Sequence, residues 1–111
     1  MKKLRFAVLG AGAGGQTMAA FLTEKGYPVR LYDHNPTRIQ QLQTLKTIRA
    51  TGKWTCQGTP EQITDSLPQA LDGADIILVV TTTDAHSTIA RQCAPYLRDG
   101  QIILLNPGHV G

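Results

Sequence analysis

The chain has 111 residues, 41% apolar and 17% charged, values that suit one globular domain and argue against wholesale disorder. No apolar run approaches the roughly 20 residues that a membrane-spanning helix needs, so no membrane segment is expected. Cys56 and Cys93 form no CxxC pair, and the three histidines lack zinc-ligand spacing. A disulfide scaffold and a structural zinc site are therefore not expected. A cytoplasmic location is expected, because two cysteines without a disulfide pattern suit a reducing compartment.

The net charge of +3 is unevenly distributed along the chain. Residues 1–53 hold nine Lys and Arg residues against two acids, a balance of +7, whereas residues 54–111 hold two against six, a balance of −4. A basic first half favours phosphate-bearing ligands in general. Because no basic run is interleaved with aromatic side chains, nucleic-acid binding is not predicted. Glycines interrupt the apolar stretch after the basic start, so a cleaved signal peptide is not expected.

The first half of the chain alternates strand-like and helical segments. Leu4–Leu9 and Pro28–Asp33 are predicted to be buried strands. Between them, Gly14–Lys25 carries apolar side chains at i, i+3, i+4 and i+7, which predicts a helix that Gly26 ends. The Asn-Pro pair at 35–36 predicts the start of a second helix, because an N-cap residue precedes a proline in the first turn.

The middle of the chain is predicted to hold smaller elements. Threonines and Trp54 around Gly52 predict a short β-hairpin within Leu45–Gly58. A brief strand at Ile63–Thr64 and a helical turn at Leu67–Leu71 follow.

The last third returns to a strong pattern. The unbroken apolar run Ile76–Val80 predicts a strand covered on both faces. Thr81–Thr83 is expected to form the exit turn, and Asp84 to cap a helix that Pro95 tightens and Gly100 ends. The inner stripe of this helix is predicted to hold Ile89, Ala90, Cys93 and Leu97.

Ile102–Leu105 is the last predicted strand, and it completes an alternating β-α order. This order predicts an α/β fold with right-handed crossovers, in which a doubly wound parallel sheet of about five strands carries a small β-hairpin insertion. Residues 1–111 are expected to form one domain.

The turn between the first strand and the first helix satisfies GxGxxG, with glycines at 10, 12 and 15. The first glycine permits a tight turn, the second lets the backbone approach a pyrophosphate, and the third allows close helix packing. The helix N-terminus offers free N–H groups to phosphates. This context predicts a dinucleotide-binding, Rossmann-type domain, with a ligand-free tight turn as the alternative. The predicted cofactor-binding residues here are Gly10, Ala11, Gly12, Ala13, Gly14 and Gly15.

The acid Asp33 follows Gly10 by 23 residues and ends the second predicted strand. A carboxylate at this position can accept hydrogen bonds from the adenosine ribose and would repel a 2′-phosphate, which favours NAD. His34 and Arg38 are included in the cofactor site because either could turn toward the 2′-phosphate of NADP, so NADP stays an alternative. A solvated helix residue is the other interpretation of Arg38.

Polar residues also follow the two later strands, at the sheet edge where ligands bind in open α/β folds. The predicted cofactor-binding residues there are Thr81, Thr82, Thr83, Asn106 and Pro107, although such residues are also ordinary in turns. His86, early in the last helix, and His109, after the last turn, are candidates for positions near the substrate. A partly buried structural histidine and an exposed tail residue are the respective alternatives.

These residues together resemble the N-terminal NAD(P)-binding domain of the opine dehydrogenases, the octopine/nopaline dehydrogenase group. The resemblance rests on the glycine turn, Asp33, the stretch 75–83 with His86 after it, and the Asn-Pro-Gly turn at 106–108, and covers nearly the whole chain. It departs at His109-Val110, where an Arg-Thr-like pair would be expected. The resemblance implies NAD(P)H-dependent reductive condensation of an amino acid with a 2-oxo acid in the full-length enzyme. It also implies a helical C-terminal domain with the catalytic residues, so this chain alone should lack catalytic residues and be inactive.

Three other classes stay open. The chain could be a free-standing nucleotide-binding regulatory module, or the cofactor domain of an enzyme like ketopantoate reductase or glycerol-3-phosphate dehydrogenase. An S-adenosylmethionine-dependent methyltransferase is disfavoured by the full glycine fingerprint with Asp33. In each case, the apolar edge strand Ile102–Leu105 predicts self-association, as a homodimer.

Overall fold

The computed structural model describes residues 4–50, 55–80 and 83–105, and within 83–87 it describes only the backbone. The strands are β1 Phe6–Leu9, β2 Val29–Tyr32, β3 Ile48–Ala50, β4 Cys56–Gly58, β5 Gln62–Thr64, β6 Ile76–Val79 and β7 Ile102–Leu105. The helices are α1 Ala13–Glu24, α2 Pro36–Leu45, α3 Leu67–Leu71 and α4 Thr83–Cys93, with a 3₁₀ turn at Ala94–Tyr96. Pro95 lies in that 3₁₀ turn, which is wound more tightly than an α-helix, so the prediction that Pro95 tightens the last turn of the helix is confirmed.

Five parallel strands form one sheet in the order β5-β2-β1-β6-β7. The central strand β1 pairs with β2 on one side and with β6 on the other. The strand order therefore reverses beside β1, and ligands bind open α/β sheets at such a reversal, outside the carboxyl ends of the strands. The antiparallel hairpin β3–β4 forms a separate two-stranded sheet. The predicted fold class, including the hairpin insertion, is confirmed.

Alternating side chains of β1 contribute to two separate cores, one on each face of the sheet. Val8 packs in a cluster with α1, α2 and the hairpin, including Ala19 and Ile39. Ala7 and Leu9 point the other way, into a cluster with α3 and α4. This arrangement is the doubly wound architecture that the alternating sequence predicts.

Two predicted helix boundaries are confirmed by specific contacts. Asn35 caps α2, because its side-chain oxygen accepts hydrogen bonds from the N–H groups of Thr37 at 3.0 Å and Arg38 at 3.2 Å. Gly26 follows α1 with a φ of 93°, a left-handed conformation in which glycine avoids the steric cost of a Cβ.

Three predictions about the start and the inner face of α4 were wrong in detail. Thr83 is the first residue of α4 and not part of an exit turn, which places Asp84 inside the first turn instead of at the cap. Ala90 is exposed, because Ile89 and Cys93, one helical turn apart, occupy the inner face.

The β6 strand is covered fully on one face only. Ile77 and Val79 are buried against the α3 and α4 layer, whereas Leu78 is half-buried on the α1 face. In the β6–β7 register Leu78 lies beside Leu104, which is 50% exposed. The α1 layer therefore leaves the apolar β7 edge of this face uncovered, which the apolar run alone did not indicate.

A cluster of three charged residues joins the amino ends of the strands. Glu61 accepts hydrogen bonds from Arg5 Nε at 2.8 Å, Arg5 Nη2 at 3.0 Å and Arg30 Nε at 3.1 Å. Arg30 also donates to the backbone carbonyls of Gln69 and Asp72 at the end of α3. This network is at the edge of the sheet opposite the glycine turn, so it has a structural role.

Candidate functional site

The glycine turn lies directly after the central strand. Gly10 has a φ of 115°, which favours glycine, and its N–H donates to the carbonyl of Tyr32 at 2.7 Å. A Cβ on Gly15 would lie 1.6 Å from the Gly10 carbonyl oxygen, so the helix can approach the turn only with glycine at position 15. Gly12 is different, since a Cβ there would meet nothing within 4 Å. The described residues thus leave open space at Gly12, the glycine whose backbone is predicted to approach the pyrophosphate.

The N-terminus of α1 begins at this turn. Gly12 is its N-cap and has no side chain to bond the first N–H groups, and the first turn of the helix contains no acidic residue. The first N–H groups of a helix have no intrahelical partner and carry a partial positive charge. The arrangement of Gly12 and Ala13 therefore suits an anion such as a pyrophosphate.

Asp33 lies beside the turn and is 5% exposed. Its Oδ1 accepts a hydrogen bond from the backbone N–H of Ala11 at 3.0 Å, and its Oδ2 accepts one from the N–H of Asn35 at 3.1 Å. Arg38 Nη1 lies 3.6 Å from the same Oδ2. The carboxylate thus connects the glycine turn to the end of β2 and the start of α2. An ionised carboxylate can accept about four hydrogen bonds, which leaves capacity for a ligand hydroxyl.

His34 and Arg38 are placed beside Asp33 on the solvent side. His34 is exposed, and the side chain of Arg38, in the first turn of α2, is 45% exposed. The acidic residue Asp33 and the basic residues His34 and Arg38, which the sequence predicts to form one group, therefore lie together in space. Arg38 can keep its contact with Asp33 or reach outward.

The end of β6 also meets the glycine turn. The Val80 N–H donates to the carbonyl of Leu9 at 2.8 Å, and a Cβ on Gly14 would lie 3.2 Å from Val80 Cγ1. The carboxyl ends of β1, β2 and β6 consequently meet at the edge of the sheet where the glycine turn lies. Among the predicted residues beyond it, Thr83 begins α4 and His86 lies on that helix, but their side chains are outside the described part. Five of the predicted site residues lie wholly outside the described ranges. They are Thr81, Thr82, Asn106, Pro107 and His109.

One residue in the site was not predicted from the sequence. Gln16, in the first turn of α1, donates from Nε2 to the carbonyl of Ala11 at 2.8 Å. A polar side chain on the otherwise apolar or small start of α1 is the only sequence signal for it. Its contact needs the folded turn, so spacing alone could not indicate the partner.

Two other reactive side chains are buried, and a cavity lies elsewhere on the protein. Burial raises the pKa of the Cys93 thiol, which makes it a poor nucleophile at neutral pH. Burial, with a smaller contribution from Asp33, raises the pKa of the Tyr32 hydroxyl, which keeps it protonated. A cavity of about 500 Å³ lies between α3 and the 3₁₀ turn, and Tyr96 and Arg98 are among its lining residues. It does not include the glycine turn, so it is not the predicted cofactor site.

The fold and the glycine turn held beside Asp33 define a dinucleotide-binding domain of the Rossmann type. A family described as NAD-dependent glycerol-3-phosphate dehydrogenase N-terminus matches residues 5–106. The chain belongs to this family. Within the described residues, no helix is both long and apolar enough to cross a membrane.

Relatives come from two groups of dehydrogenases. An opine dehydrogenase from Arthrobacter sp. (strain 1C) is 40% identical over 108 residues, which span 96% of this chain and 30% of the relative. A glycerol-3-phosphate dehydrogenase [NAD(P)+] from Lacticaseibacillus casei (strain BL23) is 37% identical over 95 residues, which span 85% of this chain and 27% of the relative. The chain thus spans under a third of each of these two relatives.

Solved structures show the same fold. A glycerol-3-phosphate dehydrogenase from Coxiella burnetii superposes with a TM-score of 0.80 at 24% identity, covering 95% of this chain and 32% of that one. An octopine dehydrogenase solved with NADH and L-arginine also gives a TM-score of 0.80, at 21% identity, covering 93% and 28% of the two chains. The predicted resemblance to the opine dehydrogenases is confirmed, alongside an equally clear relation to the glycerol-3-phosphate dehydrogenases.

Proposed function

We propose that the chain is the NAD(P)-binding part of an opine-dehydrogenase-like oxidoreductase. The full-length protein would condense an amino acid with a 2-oxo acid reductively, or catalyse the reverse oxidation. The observation that carries the proposal is the open approach to Gly12 at the N-terminus of α1, beside the buried Asp33. The 40% identity to an opine dehydrogenase supports the choice of reaction.

The residues present fit a dinucleotide. N–H groups at Gly12 and Ala13 would hold the pyrophosphate, and Asp33 would accept hydrogen bonds from the adenosine ribose. The nicotinamide ring supplies the hydride when the cofactor is bound. We favour NAD, because a buried carboxylate repels a 2′-phosphate, and we retain NADP because Arg38 lies within reach of the same position.

The catalytic groups and the substrate pocket would belong to a C-terminal domain. Support for this comes from the lengths of the relatives, since the chain spans 30% of the opine dehydrogenase. On this proposal residues 1–111 bind cofactor without turning over substrate. A cytoplasmic location fits the two unpaired, buried cysteines Cys56 and Cys93.

The first experiment is a titration of the purified chain with NADH and, separately, with NADPH, followed by nucleotide fluorescence. We expect saturable binding of both, with NADH tighter. S-adenosylmethionine serves as the mismatched ligand, and its tighter binding would replace a dehydrogenase with a methyltransferase. If neither NADH nor NADPH shows saturable binding, the proposal is contradicted.

A glycerol-3-phosphate dehydrogenase is the second candidate, favoured by the family match over residues 5–106. The two candidates share the cofactor site and differ in substrate. Assays of the full-length protein separate them, with NADH, an amino acid and a 2-oxo acid in one arm and NAD⁺ with glycerol-3-phosphate in the other. Turnover in the second arm alone would reject the opine assignment and keep the cofactor assignment.

A further inference from the structure

The Ala11 peptide groups are fixed from two directions by side chains. The N–H of Ala11 donates to Asp33 Oδ1 at 3.0 Å, and its carbonyl accepts from Gln16 Nε2 at 2.8 Å. Ala11 itself is fully buried. Both polar groups of Ala11 are therefore satisfied within the protein, so its position does not depend on a ligand.

Gln16 contacts the turn at a second point. Its backbone N–H donates to the carbonyl of Gly12 at 2.9 Å. One residue thus holds two successive carbonyl oxygens, those of Ala11 and Gly12. In a trans peptide the N–H points opposite to the carbonyl of the same unit. The N–H groups of Gly12 and Ala13 consequently point away from Gln16.

Open space borders the turn at Gly12. A Cβ on Gly12 would meet nothing within 4 Å, whereas one on Gly15 would collide with the Gly10 carbonyl on the packed side. Two N–H donors held at fixed angles next to open space form a preorganised anion site. Preorganisation raises affinity because the ordering cost is met before the ligand binds.

We propose that Gln16 is a positioning residue for the pyrophosphate of a dinucleotide. It holds the carbonyls of Ala11 and Gly12 so that the N–H groups of Gly12 and Ala13 face the ligand. The proposal rests on the proposed dinucleotide function of this site. It makes a distinct claim, because Gln16 need not touch the ligand itself.

The test compares ligands that share the adenosine group and differ in the pyrophosphate. Binding of ADP-ribose and of adenosine is measured by calorimetry for the wild-type chain and for Gln16→Met, which keeps the length and loses the donor. We expect ADP-ribose to bind three- to tenfold more weakly, on the order of one lost hydrogen bond, and adenosine to bind unchanged. Thr17→Val is the matched control, because the Thr17 hydroxyl donates to the Ala13 carbonyl within α1 and, among the described residues, makes no hydrogen bond to Ala11 or Gly12.

A second measurement uses the wild-type chain alone and needs no variant. In the ligand-free protein, NMR should show that the Gln16 side-chain amide protons exchange more slowly than those of the exposed Gln40, because one of them is bonded to Ala11. Equal exchange at the two side chains would overturn the proposal.

The binding outcomes separate the two claims. Unchanged ADP-ribose affinity in Gln16→Met, or an equal loss for adenosine, would overturn the role of Gln16 and leave the dinucleotide function standing. Failure of the wild-type chain to bind ADP-ribose and NADH would reject the proposed function and the role of Gln16 together.

Discussion

The carboxylate of Asp33, at the end of β2, accepts a hydrogen bond from the backbone N–H of Ala11, in the turn after β1, at 3.0 Å. The acid that sequence reasoning assigns to the ribose is therefore also part of the turn that would hold the phosphates. One buried side chain thus joins the two halves of the proposed adenosine diphosphate site. Changes at Asp33 should consequently affect both fold stability and ligand affinity.

The first prediction concerns Asp33→Asn. The asparagine oxygen can still accept from Ala11, but its amide group would then face the N–H of Asn35 and the Arg38 cation, which also need an acceptor. We expect the free energy of unfolding to fall by about 1–3 kcal/mol, as for a charged hydrogen bond lost in a buried place. Urea denaturation measures this loss. Asp65→Asn, at an exposed neighbour, is the control, and an equal loss there would contradict the coupling.

The second prediction separates two glycines of the same motif. Gly15→Ala should destabilise the fold by about 3 kcal/mol or more, because its Cβ would overlap the Gly10 carbonyl. Gly12→Ala should fold nearly normally, since its φ of −76° suits any residue and its Cβ meets open space. It should nevertheless bind NADH at least tenfold more weakly, because the methyl group stands where the pyrophosphate approaches. Unfolding curves and NADH titration of both variants test this, and unchanged NADH affinity in Gly12→Ala would argue against the site.

The overall fold could be predicted because the bounds of single strands and helices and the alternating β-α order point to the same architecture. The strand β7 and the helix α3 have the predicted bounds, and GxGxxG is located where a strand meets a helix. The exposed edge at β7 was predicted, but the half-buried face of β6 was not, since an apolar run indicates burial without saying which layer covers it. Leu78 is half-buried because it lies at the margin of the cluster that the α1 residues form with β1 and β2.

The candidate site shows the same limit. Gly10 and Asp33 were predicted because their residue types and spacing carry the motif, and Arg38 because it lies in the first turn of the helix after Asp33. Gln16 was missed because its role depends on a side chain folding back five residues to Ala11, a contact that no periodicity encodes. A contact such as the hydrogen bond from Gln16 to the Ala11 carbonyl forms only once the turn has folded.

The third prediction is a pH dependence from the network at the amino ends of the strands. Hydrogen bonds from Arg5 hold the pKa of Glu61 below its usual range, with a further contribution from Arg30. A carboxyl with a depressed folded-state pKa stabilises the fold above its unfolded pKa, near 4.3, and loses that contribution as pH falls through the folded value. Glu61→Gln should therefore lower stability at pH 7 by under about 1 kcal/mol, because Glu61 is partly exposed and screened.

The measurement for Glu61 is urea unfolding of wild type and variant from pH 7 down to pH 3. The difference between the two should shrink below about pH 4.5, as the wild-type carboxyl becomes protonated. Glu24→Gln, at an exposed residue near the end of α1, is the control. A wild-type–variant difference that stays constant across this range would contradict the assignment.

The fourth prediction is self-association through β7. Ile102 and Leu104 are 54% and 50% exposed on β7, the edge strand of the sheet among the described residues, and such edges pair with other chains unless charged residues block them. We expect light scattering to detect dimers of the isolated chain at high concentration and Leu104→Lys to abolish them. Leu45→Lys, at an equally apolar and more exposed residue on α2, should leave association unchanged. A monomeric wild-type mass at every concentration would contradict this prediction.

The last prediction concerns the choice between the two cofactors. Arg38 lies 3.6 Å from Asp33, and its exposed guanidinium can turn to a 2′-phosphate without disturbing the Ala11 and Asn35 contacts of the carboxylate. Arg38→Gln should therefore weaken NADPH binding about tenfold or more, the size of a lost charge-assisted hydrogen bond, and change NADH binding by less than about threefold. Arg49→Gln, at an exposed arginine on β3, controls for a general loss of positive charge. If both dinucleotides lose affinity equally in Arg38→Gln, Arg38 acts by holding Asp33 in place and not by recognising the 2′-phosphate.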